Sequence, residues 1–201
     1  YTIMKIGLIG PTYPFKGGIS HYTTLLCKSL REQDNEVKFI SFVRQYPKVL
    51  FPGKSDKDPS GVPIKVEEVE YLIDSLNPLT WLKAVRELIR FRPHLVVIPW
   101  WVAFWAPQFL TISRLVKMTT KAEILFLCHN VEEHESDVLT GYATRMVLSS
   151  ADRFLTHSKE ESQKLRRMLG KEINVVTAFH PTYAELSDSS MTKEEAKKQL
   201  G

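Results

Sequence analysis

The chain has 201 residues, 43% of them hydrophobic and 25% charged, which is the balance of an ordinary globular domain with one good core. Its formal net charge of +4 is scattered among acidic residues, which argues against a nucleic-acid-binding protein and suits phosphorylated substrates or an anionic membrane face. The two cysteines form no CxxC pair, no secretory signal precedes the first strand-like segment, and the apolar run over residues 95–110 is interrupted by prolines. We therefore expect a reduced, cytoplasmic protein without a transmembrane segment.

The first third of the chain predicts a strand, a helix and a second strand. Residues 2–9 are a short apolar run followed by a loop rich in proline and glycine, and apolar residues from Ile19 to Leu30 have the spacing of one helix face. Residues 37–43 return to a strand pattern. Residues 44–61 contain three prolines and two glycines among charged residues, which predicts a long, mobile loop.

The rest of the chain alternates between strand and helix patterns. Residues 62–71 predict a short strand or two, and Asn77-Pro78 predicts the N-cap of a helix that ends near Phe91. The buried face of this helix is predicted to consist of Leu82, Val85, Leu88 and Ile89. Further strands are predicted over residues 94–98, 122–128, 153–156 and 173–177, and further helices over 104–117, 136–149 and 158–169. This pattern predicts an α/β protein with a Rossmann-like, doubly wound, mostly parallel sheet and helices on both faces.

A domain boundary is predicted near the end of the chain. Residues 1–181 would form an N-terminal Rossmann-like domain, and the polar stretch that begins at residue 182 has the composition of a linker. Thr192-Lys193-Glu194-Glu195 is a capping box, which predicts the start of another helix. We expect residues 182–201 to be the linker and the start of a C-terminal domain.

The first loop, residues 10–18, is a candidate ligand site because open α/β sheets bind ligands at the carboxyl ends of their strands. It matches neither GxGxxG nor the P-loop pattern. Gly17 and Gly18 precede a helix, so their backbone could approach a phosphate at the positive end of the helix dipole. Two glycines could equally serve only a tight turn with positive φ, and both interpretations stay open.

A second candidate is the loop over residues 128–135, which follows another buried strand. His129 could exchange hydrogen bonds with a ligand near neutral pH, and polar neighbours could orient sugar hydroxyls. His129 and His134 do not fit HExxH, so no metal site is expected. For Glu132 and Glu135, an ordinary polar loop with a helix cap is the better interpretation.

Other conspicuous residues favour structural roles. The aromatic cluster of Trp100, Trp101, Phe104 and Trp105 could stack on sugars or enter a membrane interface, but packing of the next helix on the sheet is favoured. His21 and His157 suit satisfied structural positions, although His157 could approach the cleft. No GxSxG motif supports a hydrolase.

Four segments together resemble glycosyltransferase family 4 in their order and spacing, over almost the whole chain. They are residues 14–19, 100–107, 129–135 and 151–158. The resemblance implies the N-terminal half of a two-domain GT-B enzyme that retains anomeric configuration and needs no metal or other cofactor. It implies that Gly17 and Gly18 contact the donor diphosphate and that His129 contacts the transferred sugar. More weakly, the resemblance implies that four parts of the chain contact the acceptor: Lys16, Glu133, His134 and the 44–61 loop.

The activity expected from this resemblance is sugar transfer from a nucleotide diphosphate sugar to an acceptor such as a lipid-linked or polysaccharide precursor. The enzyme would be cytoplasmic, with peripheral contact at the inner membrane face. Most donor contacts would come from its own C-terminal domain, so this part alone would be almost inactive. The alternatives are a GT-B-shaped sugar-nucleotide epimerase, which needs no acceptor, and a non-enzymatic α/β ligand-binding module.

Overall fold

The computed structural model describes residues 3–47, 55–58, 64–131 and 138–179. Within these ranges, strands and α-helices alternate, except that no helix lies between the second and the third strand. The elements are β1 (Lys5–Ile9), α1 (Gly18–Glu32), β2 (Glu36–Arg44), β3 (Val69–Asp74), α2 (Pro78–Phe91), β4 (Leu95–Trp100), α3 (Ala106–Thr119), β5 (Glu123–Cys128), α4 (Val138–Leu148), β6 (Arg153–Thr156), α5 (Lys159–Leu169) and β7 (Val175–Thr177). A short 3-10 turn, Ala103–Trp105, leads into α3.

The seven strands form one sheet in the order β3-β2-β1-β4-β5-β6-β7, and every neighbouring pair is parallel. The chain winds outward from β1 in one direction through β2 and β3, and in the other direction from β4 to β7. The direction reverses between β1 and β4, where open α/β sheets have their ligand crevice. The predicted doubly wound α/β fold is confirmed.

Helices cover both faces of the sheet. Ile6 and Leu8 of β1 pack with Tyr22 and Cys27 of α1 in one apolar cluster. The opposite face forms a larger cluster, to which α2, α3, α4 and α5 contribute buried residues. Because strand side chains alternate between faces, β5 supplies both clusters, which explains its unbroken hydrophobic run after Glu123.

Helix α2 begins as predicted but has a different buried face. The Asn77 side chain accepts a hydrogen bond from the Leu79 amide at 3.1 Å, and Pro78 occupies the first turn. Leu82, predicted to be buried, is 47% exposed, whereas Trp81 is buried. The Trp81 indole donates to the Asp74 carbonyl at 2.8 Å, which turns residue 81 toward the sheet and residue 82 toward solvent.

Of the three other residues of the predicted face, Val85 and Leu88 are buried and Ile89 is half-buried. The predicted strand over 62–71 lies later in the chain, as β3. Most of the 44–61 loop, Glu133, His134, and the predicted linker and second-domain start (182–201) lie outside the described residues. No helix of the described residues is both long and apolar enough to cross a membrane.

Leu88 and Leu82 of α2 provide a matched test of this packing. Leu88→Ala should reduce the free energy of unfolding by about 2–5 kcal/mol because it empties a fully buried site. Leu82→Ala makes the same chemical change at an exposed site and should cost less than about 1 kcal/mol. Urea unfolding followed by circular dichroism measures both. Equal losses would contradict the orientation of α2.

Candidate functional site

The candidate site lies at the carboxyl edge of the sheet, where the loops after β1, β4, β5 and β6 begin. Trp100, the last residue of β4, is paired with Cys128, the last residue of β5, and Cys128 is paired with Thr156, the last residue of β6. The backbone amide of His129 continues this ladder by donating to the Trp100 carbonyl at 2.9 Å. Three neighbouring strands therefore end level, and their loops leave from one line.

The loop after β1 is fastened to the start of α1. The Ser20 hydroxyl donates to the Phe15 carbonyl at 2.7 Å, and the hydroxyls of Thr12 and Thr24 lie 2.6 Å apart. Phe15 is buried, which anchors the middle of the loop in the core. These contacts give the N-terminus of α1 a fixed place at the edge of the sheet.

Gly17 and Gly18 form the exposed N-terminus of α1. Gly17 is the N-cap with φ 115°, a conformation that favours glycine, and no side chain caps the helix. A Cβ atom on either glycine would meet nothing within 4 Å, and the first turn contains no acidic residue. The tight-turn interpretation thus holds for Gly17, and the same turn leaves helix amides accessible to an anion.

Gly10 allows α1 to lie close to the end of β1. A Cβ atom at Gly10 would be 2.8 Å from Cγ2 of Thr23, closer than real Cβ contacts. The Thr23 hydroxyl, in turn, donates to the Pro11 carbonyl. The absence of a side chain at Gly10 therefore determines how near the helix comes to the strand ends.

Three aromatic rings meet at this edge. The ring of Tyr22, from α1, lies 4.8 Å from the ring of His129 and 5.1 Å from that of His157, between centroids. The two histidine rings are 5.3 Å apart. Tyr22 is buried and both histidines are half-buried. We call Tyr22, His129 and His157 the ring cluster.

A backbone hydrogen bond orients His157 within the ring cluster. Its Nδ1 lies 3.2 Å from the carbonyl oxygen of Ala178. A carbonyl can only accept, so Nδ1 carries the proton and the neutral ring has an acceptor at Nε2. The structural role expected for His157 fits this bond, and the ring also contacts His129.

The loop that carries His129 is held from its other side by α5. A carboxylate oxygen of Glu161 accepts from the Val131 amide at 2.6 Å, and the other lies 2.8 Å from the Lys164 ammonium. The Glu161 carboxylate raises the pKa of Lys164, because the hydrogen bond favours its charged form. Ser158 caps the same helix by accepting from the Glu161 amide.

The sequence did not point to Glu161 or Tyr22 as site residues. In the sequence, Glu161 is an ordinary acidic residue in the first turn of a helix, where acidic residues are common. One usable signal existed for His157. It directly follows β6 as His129 directly follows β5, and neighbouring parallel strands place such residues side by side.

Of the predicted acceptor-side residues, Lys16 and residues 44–47 and 55–58 of the 44–61 loop have described positions. Lys16 is exposed, next to Gly17, and its amide donates to the Asp56 carbonyl at 2.9 Å. Glu133 and His134 lie outside the described residues. Lys16 thus adjoins Gly17 and Gly18 at the exposed end of the first loop.

The aromatic cluster after β4 mainly packs α3 against the sheet. Trp100 and Trp105 are buried, and the Trp105 ring lies 5.1 Å from Phe42 and 4.8 Å from Tyr46. The Trp101 indole donates to the Tyr46 hydroxyl at 3.2 Å. The packing interpretation is confirmed for the two buried tryptophans, while Trp101 and Phe104 are partly exposed.

The described ranges contain no metal-binding cluster, and the cysteine next to His129 is buried. No group of three or more His, Cys, Asp or Glu side chains within them could hold a metal ion. Cys128 precedes His129 but is fully buried, and burial raises the pKa of its thiol. A neutral, enclosed thiol is a packing group rather than a nucleophile.

Solved structures with a similar fold are GT-B glycosyltransferases. An alpha-glucosyltransferase in complex with UDP-glucose and DNA containing an abasic site matches 90% of this chain and 44% of its own, with TM-score 0.59 and 12% identity. The catalytic domain of starch synthase IV from Arabidopsis thaliana, bound to ADP and acarbose, matches 100% and 60%, with TM-score 0.58 and 14% identity. Sucrose-phosphate synthase from Thermosynechococcus elongatus matches 98% of both chains, with TM-score 0.53 and 16% identity. The chain therefore has the Rossmann-like fold that these GT-B glycosyltransferases contain.

The sequence itself defines the family. The profile of Glycosyltransferase Family 4 matches residues 16–179, which include Gly17, Gly18 and the whole ring cluster. The chain belongs to glycosyltransferase family 4. A comparison with curated proteins gave no match. The chain spans less than half of the alpha-glucosyltransferase chain and about three fifths of the starch synthase chain.

The ring cluster can be tested by NMR of the histidine side chains. His157→Phe keeps a ring but loses the donor to Ala178, whereas His157→Asn keeps a donor but loses the ring. If ring contact governs the environment of His129, His157→Asn should shift the imidazole resonances of His129 more than His157→Phe does. His94→Asn, at the opposite edge of the sheet, is the control and should leave them unchanged. Unshifted His129 resonances in both His157 variants would contradict the cluster.

Proposed function

We propose that this chain is the N-terminal half of a retaining enzyme that transfers a sugar from a nucleotide diphosphate sugar to an acceptor. One observation carries the proposal. Tyr22 lies four residues, about one helical turn, after Gly18, and its ring contacts His129. Helix α1 therefore carries both the open N-terminus and, one turn later, the ring that contacts the imidazole, an arrangement that suits the diphosphate and the sugar of one donor.

The proposed chemistry uses this pairing at the bond that breaks. The bond between the anomeric carbon and the diphosphate oxygen breaks, and the diphosphate leaves with the electron pair. The amides of the Gly17–Gly18 turn and the helix dipole stabilise its growing negative charge. The acceptor oxygen bonds to the anomeric carbon, and its proton passes to the departing diphosphate oxygen. His129 hydrogen-bonds the transferred sugar and orients its reacting carbon.

The remaining parts of the donor and acceptor sites are proposed from the family. A C-terminal domain would bind most of the nucleotide and sugar, in keeping with the longer chains of the alpha-glucosyltransferase and starch synthase. Lys16, Glu133 and His134 are proposed for the acceptor side, and no metal is proposed for catalysis. The acceptor is proposed to be a lipid-linked or polysaccharide precursor used at the cytoplasmic side of the membrane.

The test of the reaction uses the complete protein and His129→Ala. Purified enzyme is given a panel of sugar nucleotides, with and without crude membrane lipid, and nucleotide diphosphate release is measured. Release should depend on the acceptor and fall by about 10²-fold or more in the variant, as when one stabilising hydrogen bond is removed from an active site. His94→Asn should retain activity because His94 lies at the amino end of β4.

Each contrary outcome has a definite meaning. Equal activity of wild type and His129→Ala would remove His129 from the mechanism. Acceptor-independent formation of an epimerised sugar would identify an epimerase. No release from any donor by the wild type would favour the non-enzymatic ligand-binding module.

A matched pair at Gly18 tests the diphosphate contact. A side chain at Gly18 would enter open space, and this residue does not need positive φ, so Gly18→Ala should fold normally and retain most donor affinity. Gly18→Asp suits a helix N-terminus but places a negative charge where the diphosphate would lie. We expect it to raise the donor KM about tenfold or more with little loss of stability. An unchanged KM in Gly18→Asp would contradict the assignment.

A further inference from the structure

The outer face of α2 begins with exposed leucines. Leu76, in the turn before the helix, is 53% exposed, Leu79 is 67% exposed and Leu82 is 47% exposed. Leu79 and Leu82 are three residues apart and therefore share one face of the helix. We call these three residues the leucine tip. Exposed apolar residues that cluster in this way mark contact surfaces, unlike the single ones that are normal on proteins.

The same face of α2 continues with basic residues. Lys83 and Arg86 follow Leu79 and Leu82 by four residues each, about one turn, and both are exposed. No ion pair joins Lys83 or Arg86 to another described residue. The outer face of α2 is therefore apolar where the helix begins and positively charged beyond that point.

The sequence around α2 concentrates positive charge. Between Asp74 and Glu123 it contains seven Lys or Arg residues and one acidic residue, Glu87. Helix α3, which packs beside α2, has no acidic residue. This segment carries six net positive charges, more than the +4 of the whole chain. The expectation from composition that positive charge is scattered is therefore wrong for this part of the chain.

The two carboxylates of this region are already bound by cations. Asp74, which precedes the leucine tip, accepts two hydrogen bonds from the Arg44 guanidinium, at 2.9 and 2.6 Å. The Glu87 carboxylate lies 2.8 Å from the guanidinium of Arg90 and 3.9 Å from the ammonium of Lys38. Neither carboxylate therefore cancels the charge of the exposed basic face.

We propose that the leucine tip inserts into the surface of a bilayer that contains anionic lipids, while Lys83 and Arg86 bind its phosphates. Lys83 lies about 6 Å and Arg86 about 10 Å beyond Leu79 along the helix axis. A bilayer presents the same order, with an apolar interior beneath a layer of phosphates. A nucleic acid would offer its phosphates without an apolar layer, and a protein interface surrounds its apolar core with a polar rim.

Docking through α2 would bring the candidate site to the membrane. Helix α2 starts where β3 ends, so the leucine tip lies at the carboxyl edge of the sheet, as His129 and His157 do. The inference rests on the proposed function only for this consequence, since a lipid-linked acceptor would be held at the same surface. Vesicle binding is measured without a sugar donor, so failure of sugar transfer and failure of docking are distinguishable.

The experiment is vesicle co-sedimentation of the complete protein. Vesicles of phosphatidylcholine alone are compared with vesicles that also contain phosphatidylglycerol, at low and high salt. The protein should bind the anionic vesicles, and salt should weaken binding because it screens the basic side chains. The double variants Leu79→Ser/Leu82→Ser and Lys83→Glu/Arg86→Glu should each weaken binding about tenfold or more.

Two control variants make the same kinds of change on α4 and α5. Val138→Ser/Leu139→Ser removes apolar side chains that are 90% and 78% exposed, and Arg145→Glu/Arg167→Glu reverses two exposed arginines. Four acidic residues lie between positions 132 and 137, directly before the first pair, so this apolar surface lacks the charge that an anionic bilayer needs. Both controls should retain most of the wild-type binding, and circular dichroism checks that every variant is folded.

The contrary results are equally definite. Absence of anionic-vesicle binding by the wild type would overturn the proposal, as would equal binding to neutral vesicles. Variants of α2 that bind as the controls do would also overturn it. If the charge reversal on α2 weakens binding but Leu79→Ser/Leu82→Ser binds like the wild type, the surface is a site for soluble polyanions such as nucleic acid and the bilayer proposal is wrong.

Discussion

The level ending of β4, β5 and β6 is the constraint on which the candidate site depends. Parallel pairing places Trp100, Cys128 and Thr156 in one row, so the residues that follow them start from one line. Backbone pairing of the strands is therefore sufficient to make His129 and His157 neighbours, independently of the contacts between their side chains. Because these strands are buried on both faces, a shift of the ladder would disturb two apolar clusters at once. Packing of the two apolar clusters thus keeps the carboxyl ends of β4, β5 and β6 in register.

A second relation, between α1 and this row, joins the two predicted ligand contacts. The missing side chain at Gly10 lets α1 approach β1, and Thr23 and Ser20 bond the helix to the loop before it. One helix then supplies both an open N-terminus and the Tyr22 ring that contacts His129. The position of the open N-terminus of α1 relative to the His129 imidazole is consequently set by one rigid element.

The sequence predicts the features that depend on local pattern. Apolar runs and helix spacing predict the parallel α/β fold, and strand-end position identifies Gly17, Gly18 and His129 as candidates. Features that depend on contacts between distant segments were missed or misplaced. The face of α2 differs because Trp81 bonds Asp74, and Tyr22 and Glu161 join the site only after separate helices pack on the sheet. Periodicity cannot indicate which ring or carboxylate a folded neighbour will meet.

The exposure of the first loop explains why a second domain suits the proposed reaction. Gly17 and Gly18 face solvent, and water screens the attraction between helix amides and an anion. A surface that closes over the loop would exclude water and strengthen the same contacts.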